Sequence, residues 1–158
     1  FLVKIVLLSL LAVIGFDIFL HAGVLSPLYD DPGSFLLPAE TAFKLIPLGY
    51  MAFAILNVML VWLMVRLGIQ GAGPGFIFGI KIGLFIWAAL ALGLASISSA
   101  PIKLLLGWVA GQTLELGLAG ALLGWGFKSG NLKKLGIWCL VIFLISSFMG
   151  IVIQNILN

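Results

Sequence analysis

The chain is predicted to be all-α, a polytopic transmembrane helical bundle of five spans, or of four plus an edge helix. Two observations predict this. Hydrophobic residues make up 63% of the 158 and charged residues only 8%, with mean hydropathy +1.32, which leaves too little polar surface to coat a soluble globule. The apolar residues also fall into five runs of about the 20 residues that a bilayer crossing needs, divided by short breaks rich in Gly, Pro, Ser, Asp and Lys. These runs fill nearly all of residues 1–158, so a single transmembrane domain is expected and no separate soluble domain fits among them.

The first run, about 1–24, exceeds a signal-peptide apolar region and lacks a small-residue cleavage pattern, so it is expected to be a retained span. "LSPLYDDPGS" follows and has the composition of a loop. In "FLLPAETAFKLI", Pro38 and Glu40 stand where a helix can begin, and the apolar residues to one side suit a helix lying along the membrane surface. The second span is expected over about 46–67, and "GIQGAGPG" breaks the chain before a third at about 76–95. "SISSAPIK" forms the next turn, the fourth span covers about 104–127, and the basic connection "KSGNLKK" leads to a fifth at about 135–157.

Charge then orients the bundle. Alternating the connections puts Lys4, Arg66, Lys81, Lys128, Lys133 and Lys134 on one side, against Lys44 and Lys103 on the other. Basic residues are retained on the cytoplasmic side, so a bacterial inner membrane protein with a cytoplasmic N-terminus and an external C-terminus is expected. Asp30, Asp31 and Glu40 then fall outside. The formal net charge of +3 thus reports orientation, and no basic patch interleaved with exposed aromatics points to nucleic acid. Cys139 is the single cysteine, which excludes an internal disulfide and a CxxC pair and leaves it a packing role.

The 20 glycines suit lipid, where small residues let helix backbones approach closely. Gly79 and Gly83, Gly107 and Gly111, and Gly120 and Gly124 are spaced as GxxxG pairs, which makes the third and fourth spans the packed centre.

Polar residues can be placed by depth at about 1.5 Å per residue. His21 comes near the outer boundary with Asp17 one turn deeper, and Gln112, Thr113 and Glu115 lie about 12 to 17 Å down the fourth span. Tyr50 falls near the outer boundary and Asn57 near the middle. Glu115 continues the Gly107 and Gly111 stripe, so it should face a helix and not lipid. An ionised carboxylate at mid-bilayer costs at least about 2.5 to 3.5 kcal/mol, so Asp17 and Glu115 need partners, protons or water. His21, four residues from Asp17, can be one partner.

Four readings of Asp17, His21, Tyr50, Asn57, Gln112 and Glu115 are open: a hydrogen-bonded cluster that fixes helix register, a pocket for a ligand, lipid head group or pigment, a proton or ion path, and a metal site. One histidine and no cysteine cluster make a poor soft-metal set, so no metal is expected, and no particular cofactor can be named. Trp62, Trp108 and Trp125 stand near span ends, where an aromatic belt would place them. Ser9, Ser146 and Ser147 have no base nearby in sequence, and helix-borne Ser in lipid usually bonds its own backbone or a neighbouring helix. With no phosphate loop, HExxH or dinucleotide fingerprint either, the chain is expected not to be an enzyme.

"FDIFLHAGVLSPLY", "RLGIQGAGPGFIFGIKIGLFIW" and "GWVAGQTLELGLAGALLGWGF" resemble segments of small bacterial multi-helix membrane proteins of unassigned function. The resemblance spans roughly residues 5–127 and implies a compact helical bundle with no activity to carry over. Size and helix number are also similar to the tryptophan-rich translocator family, which binds porphyrins and sterols; five tryptophans and the lack of a W-x-P-P run set this chain apart.

Two functions follow. In the first, the chain is a non-catalytic subunit or assembly partner of a larger membrane complex, associating with other membrane subunits or itself within the lipid bilayer. In the second, it binds or moves a small ligand, lipid or pigment through a polar pocket in the outer half of the bilayer. The expected orientation is checked by reporter fusions: one after Asn131 should read cytoplasmic and one after Ser34 external, and the reverse pattern would overturn the five-span topology.

Overall fold

The structure, a computed structural model, describes residues 1–29 and 35–157, without the side chain of Ala39. Asp30, Asp31 and Ser34, used in the charge and fusion arguments, lie outside the described residues. The chain is an all-α bundle, and five of its helices are long and apolar enough to cross a membrane. Helix α1 covers Leu2–Ile18 and continues into a π-helical segment, Phe19–Val24. A 3-10 turn at Ser26–Leu28 and the short helix α2, Ala39–Lys44, precede α3, Ile46–Arg66. Then come α4, Ala72–Ile97, α5, Ile102–Ser129, and α6, Leu132–Leu157.

Three boundaries differ from the sequence reading, each for a local reason. Helix α4 begins at Ala72 and takes up the AGPG half of the "GIQGAGPG" break. Pro74 falls in the first turn, where its missing N–H would have no intrahelical partner, and Gly71, at φ +93°, absorbs the chain reversal. The basic connection before α6 shrinks to Gly130 and Asn131. Gly130 ends α5 in the left-handed conformation, and the Asn131 side chain accepts a hydrogen bond from the Lys134 N–H at 2.9 Å, capping α6. Pro38 caps α2, and Glu40 and Lys44 pair across one of its turns at 3.0 Å, fully outside the bundle.

Helix α5 is the least apolar of the five spans and the most buried, because its neighbours and not lipid cover it. Its most extensive contact is with α4. There the two backbones touch: a Cβ added at Gly75 would strike the Gly120 carbonyl, one at Gly79 the Leu116 carbonyl, and one at Gly83 the Thr113 backbone. Gly71 donates its N–H to the Gly124 carbonyl at 2.7 Å, a main-chain bond between the two elements. Gly107 and Gly111 face elsewhere, against Leu25 and Leu28 and against Leu20. They seat the end of α1 on α5.

Helices α1 and α6 form the second close pair, with Gly15 against the Phe143 backbone and Gly23 against Gly150. Between the pairs lies an apolar core that includes Ile5, Leu60, Met64, Leu123, Leu135 and Cys139. Helix α3 leans on α1 and α5 and leaves much of its surface, Trp62 included, outward. Ser9 donates to the Val6 carbonyl at 3.0 Å and lies 3.3 Å from the Asn57 side-chain oxygen, so one buried hydroxyl joins α1 to α3.

Gly79→Ala should lower stability by about 1–3 kcal/mol or more, since the added methyl meets backbone that cannot rotate away. Gly93→Ala, where a Cβ meets open space, should leave stability unchanged or raise it slightly. Unfolding of both variants in detergent checks this, and equal effects would mean that the α4–α5 seam is not tight.

Candidate functional site

The site lies where α1 ends and α5 begins. Trp108, Gln112 and Glu115 stand at positions i, i+4 and i+7 of α5 and so share a face. Asp17 sits in the last turn of α1 and His21 in the π-helical segment that extends it. In that segment the Leu25 N–H bonds back five residues to the Leu20 carbonyl, at 2.8 Å. Pro27 then turns the chain in the 3-10 element, Ser26 ties its hydroxyl to the Gly23 carbonyl at 2.9 Å, and the turn delivers Tyr29 beside His21.

Four side chains form one connected network. His21 Nδ1 lies 2.5 Å from the Tyr29 hydroxyl, the Trp108 indole donates to that hydroxyl at 2.7 Å, and Gln112 Nε2 lies 2.7 Å from His21 Nε2. The roles follow from the donors. An amide nitrogen only donates, so His21 Nε2 accepts from Gln112, which puts the ring proton on Nδ1, where the Tyr29 oxygen accepts it. The imidazole is therefore neutral in this arrangement. Asp17 Oδ1 stands 3.4 Å from His21 Nε2, a neighbour and not the principal partner that the i, i+4 spacing suggested. Burial pushes the Tyr29 phenol up to about 12, with the Trp108 bond opposing that rise and the Asp17 charge adding to it, so Tyr29 keeps its proton at physiological pH.

Behind this network lies Glu115, 2% exposed, whose Oε2 has no hydrogen-bond partner. Asp17 and Glu115 are close enough to feel one another's charge, and the Tyr50 phenol feels both. Asp17, His21, Tyr50 and Trp108 line an open cleft of about 570 Å³ whose apolar wall includes Ile46 and Phe53. The cleft runs on, through Ala42 and Ile46, into a groove of about 650 Å³ walled by Phe35, Leu36, Leu37, Phe43 and Leu45.

Of the six residues singled out in the sequence, Asp17, His21, Tyr50, Gln112 and Glu115 come together. Asn57 does not: it is buried against Ser9 in the α1–α3 contact. Trp108, read as an interfacial belt residue, is instead a hydrogen-bond donor in the site, and Tyr29 was passed over. Among the described residues, no three His, Cys, Asp or Glu side chains are grouped to hold a metal ion.

No family model, curated protein or solved structure matches the chain. The site must therefore be understood from its own geometry.

His21→Leu should destabilise the protein by about 1–3 kcal/mol, because Gln112 and Tyr29 lose a partner in a buried place. Adding Gln112→Leu should cost clearly less in that background than in the parent. A double-mutant cycle by denaturant unfolding in detergent measures the difference, and strict additivity would show that the two side chains are not coupled.

Proposed function

We propose that this protein is a non-catalytic membrane protein that binds a small amphipathic molecule, its polar head in the cleft and its apolar tail in the groove that continues from it. One observation carries the reading: a buried carboxyl with an unpaired oxygen stands at the back of a cleft already lined by polar side chains. A cluster that served helix register alone would close on itself, because a half-satisfied buried network costs more than an apolar contact. Here Tyr29, His21, Trp108 and Gln112 close among themselves, while Asp17, Glu115 and Tyr50 are left for something else. The combined space also falls in the range of small-molecule sites, about 300–1,000 Å³ for each part.

The assembly-subunit reading drew on the glycine stripes as docking faces. Those glycines are used within the chain, Gly79, Gly83, Gly120 and Gly124 in the α4–α5 seam and Gly107 and Gly111 under the end of α1. That removes its specific support. The lysine asymmetry favours a bacterial inner membrane with the site toward the external side, so the ligand would enter from the outer leaflet or the external solution.

Gly49 provides the test. A Cβ there meets nothing within 4 Å, and the residue is beside the cleft, so Gly49→Trp should fill the space without touching the fold. Native mass spectrometry of gently solubilised protein should find a bound amphipath at about one per chain in the parent and none in Gly49→Trp. A parent that retains no more than the variant, and carries a stoichiometric polypeptide instead, would restore the assembly reading.

A further inference from the structure

We infer that the head group this cleft takes is a protonated amine, seated against Asp17 and Glu115 and flanked by the rings of Tyr50 and Trp108; this rests on the binding reading above. The charge balance of the site leads there. Two carboxyl groups lie within reach of one another's field, at a depth where a lone carboxylate is costly. No protein cation answers them. Lys44 is tied to Glu40 at 3.0 Å on the exposed helix α2, and Lys103 is exposed in the first turn of α5. His21, the one basic group beside Asp17, spends its Nε2 accepting from Gln112 and stays neutral.

Glu115 supplies the independent sign of a missing partner. It is 2% exposed, and its Oε2 receives no hydrogen bond. A buried acceptor left in this way costs about 1–3 kcal/mol or more, and a donor carrying positive charge offsets that cost best. An ammonium brings two or three N–H donors and one charge, enough to serve both carboxyl groups. The aromatic rings lining the cleft, Tyr50, Phe53 and Trp108, present the negative faces that attract such cations. An anionic head would meet two like charges, and an uncharged hydroxyl would leave the carboxyl pair unbalanced. The chain attached to the amine then lies in the apolar groove bounded by Phe35, Leu37 and Phe43.

Three probes of one chain length test the inference: dodecylammonium, dodecanol and dodecanoate, titrated calorimetrically into the protein in nonionic detergent. Dodecylammonium should bind at least tenfold more tightly than dodecanol, and dodecanoate most weakly. Glu115→Gln should abolish the preference for the amine while leaving dodecanol binding unchanged, and Asp17→Asn should reduce it. If either variant fails to fold, the ranking of the three probes on the parent still decides. Amine and alcohol binding equally, both expelled by Gly49→Trp, would overturn the ammonium assignment and leave the amphipath reading standing. No binding by any of the three would overturn both. Lysophosphatidylethanolamine added in competition separates the sources: displacement of dodecylammonium makes a lipid head group the supplier of the ammonium, and its failure to compete makes a free amine the ligand.

Discussion

The backbone-to-backbone contact of α4 with α5 governs the rest of this molecule. In lipid the hydrophobic effect does not drive helices together, so their attraction comes from close packing and from the few hydrogen bonds they share. Glycines on both sides of this seam let main chain meet main chain, and the Gly71 N–H bond to the Gly124 carbonyl anchors one end of it. With α4 fixed along one face, α5 is held at the centre and can carry polar residues that no lipid-facing helix could. Gln112, Thr113 and Glu115 are all buried there. The seam itself has no chemistry, yet it is the reason a carboxyl group can be kept deep in an apolar protein.

The same logic applies at the α1–α6 pair, where Gly15, Gly23 and Gly150 bring two otherwise bulky helices into contact. That pair holds α1 in place from behind while its far end folds over α5. The polar network therefore sits at a junction of two rigid pairs and not on a loop, which suits a site whose geometry must be kept. Only Tyr29 comes from outside the spans, and it is bound on two sides, by His21 and by Trp108.

The sequence carried most of this architecture. The five apolar runs gave the spans, and the glycine spacings at 79 and 83 and at 120 and 124 marked the seam. Depth counting brought Asp17, His21 and Gln112 to one level. What it did not carry was rotation about the helix axes. Asn57 lies at a plausible depth but turns toward Ser9, and counting residues along an axis cannot separate those outcomes. Trp108 was hidden because a tryptophan near a span end fits an interfacial belt equally well. Its place four residues before Gln112 and seven before Glu115 was the available signal. Tyr29 depended on the 3-10 turn and the π-helical segment, neither of which has a periodic signature in an apolar run.

That π-helical segment, Phe19–Val24, also bears on how the gene can vary. A turn closed five residues back accommodates more chain per revolution than an α-turn does, so the direction in which the following residues point depends on how many residues the segment contains. Losing one codon here would let the backbone relax to α-geometry and rotate everything beyond it by about 100° relative to α5. Tyr29 would leave His21, although every side chain in the network would still be encoded. Exchanging one amino acid for another at Ala22 leaves that rotation alone. In this stretch heredity must conserve length more strictly than spelling.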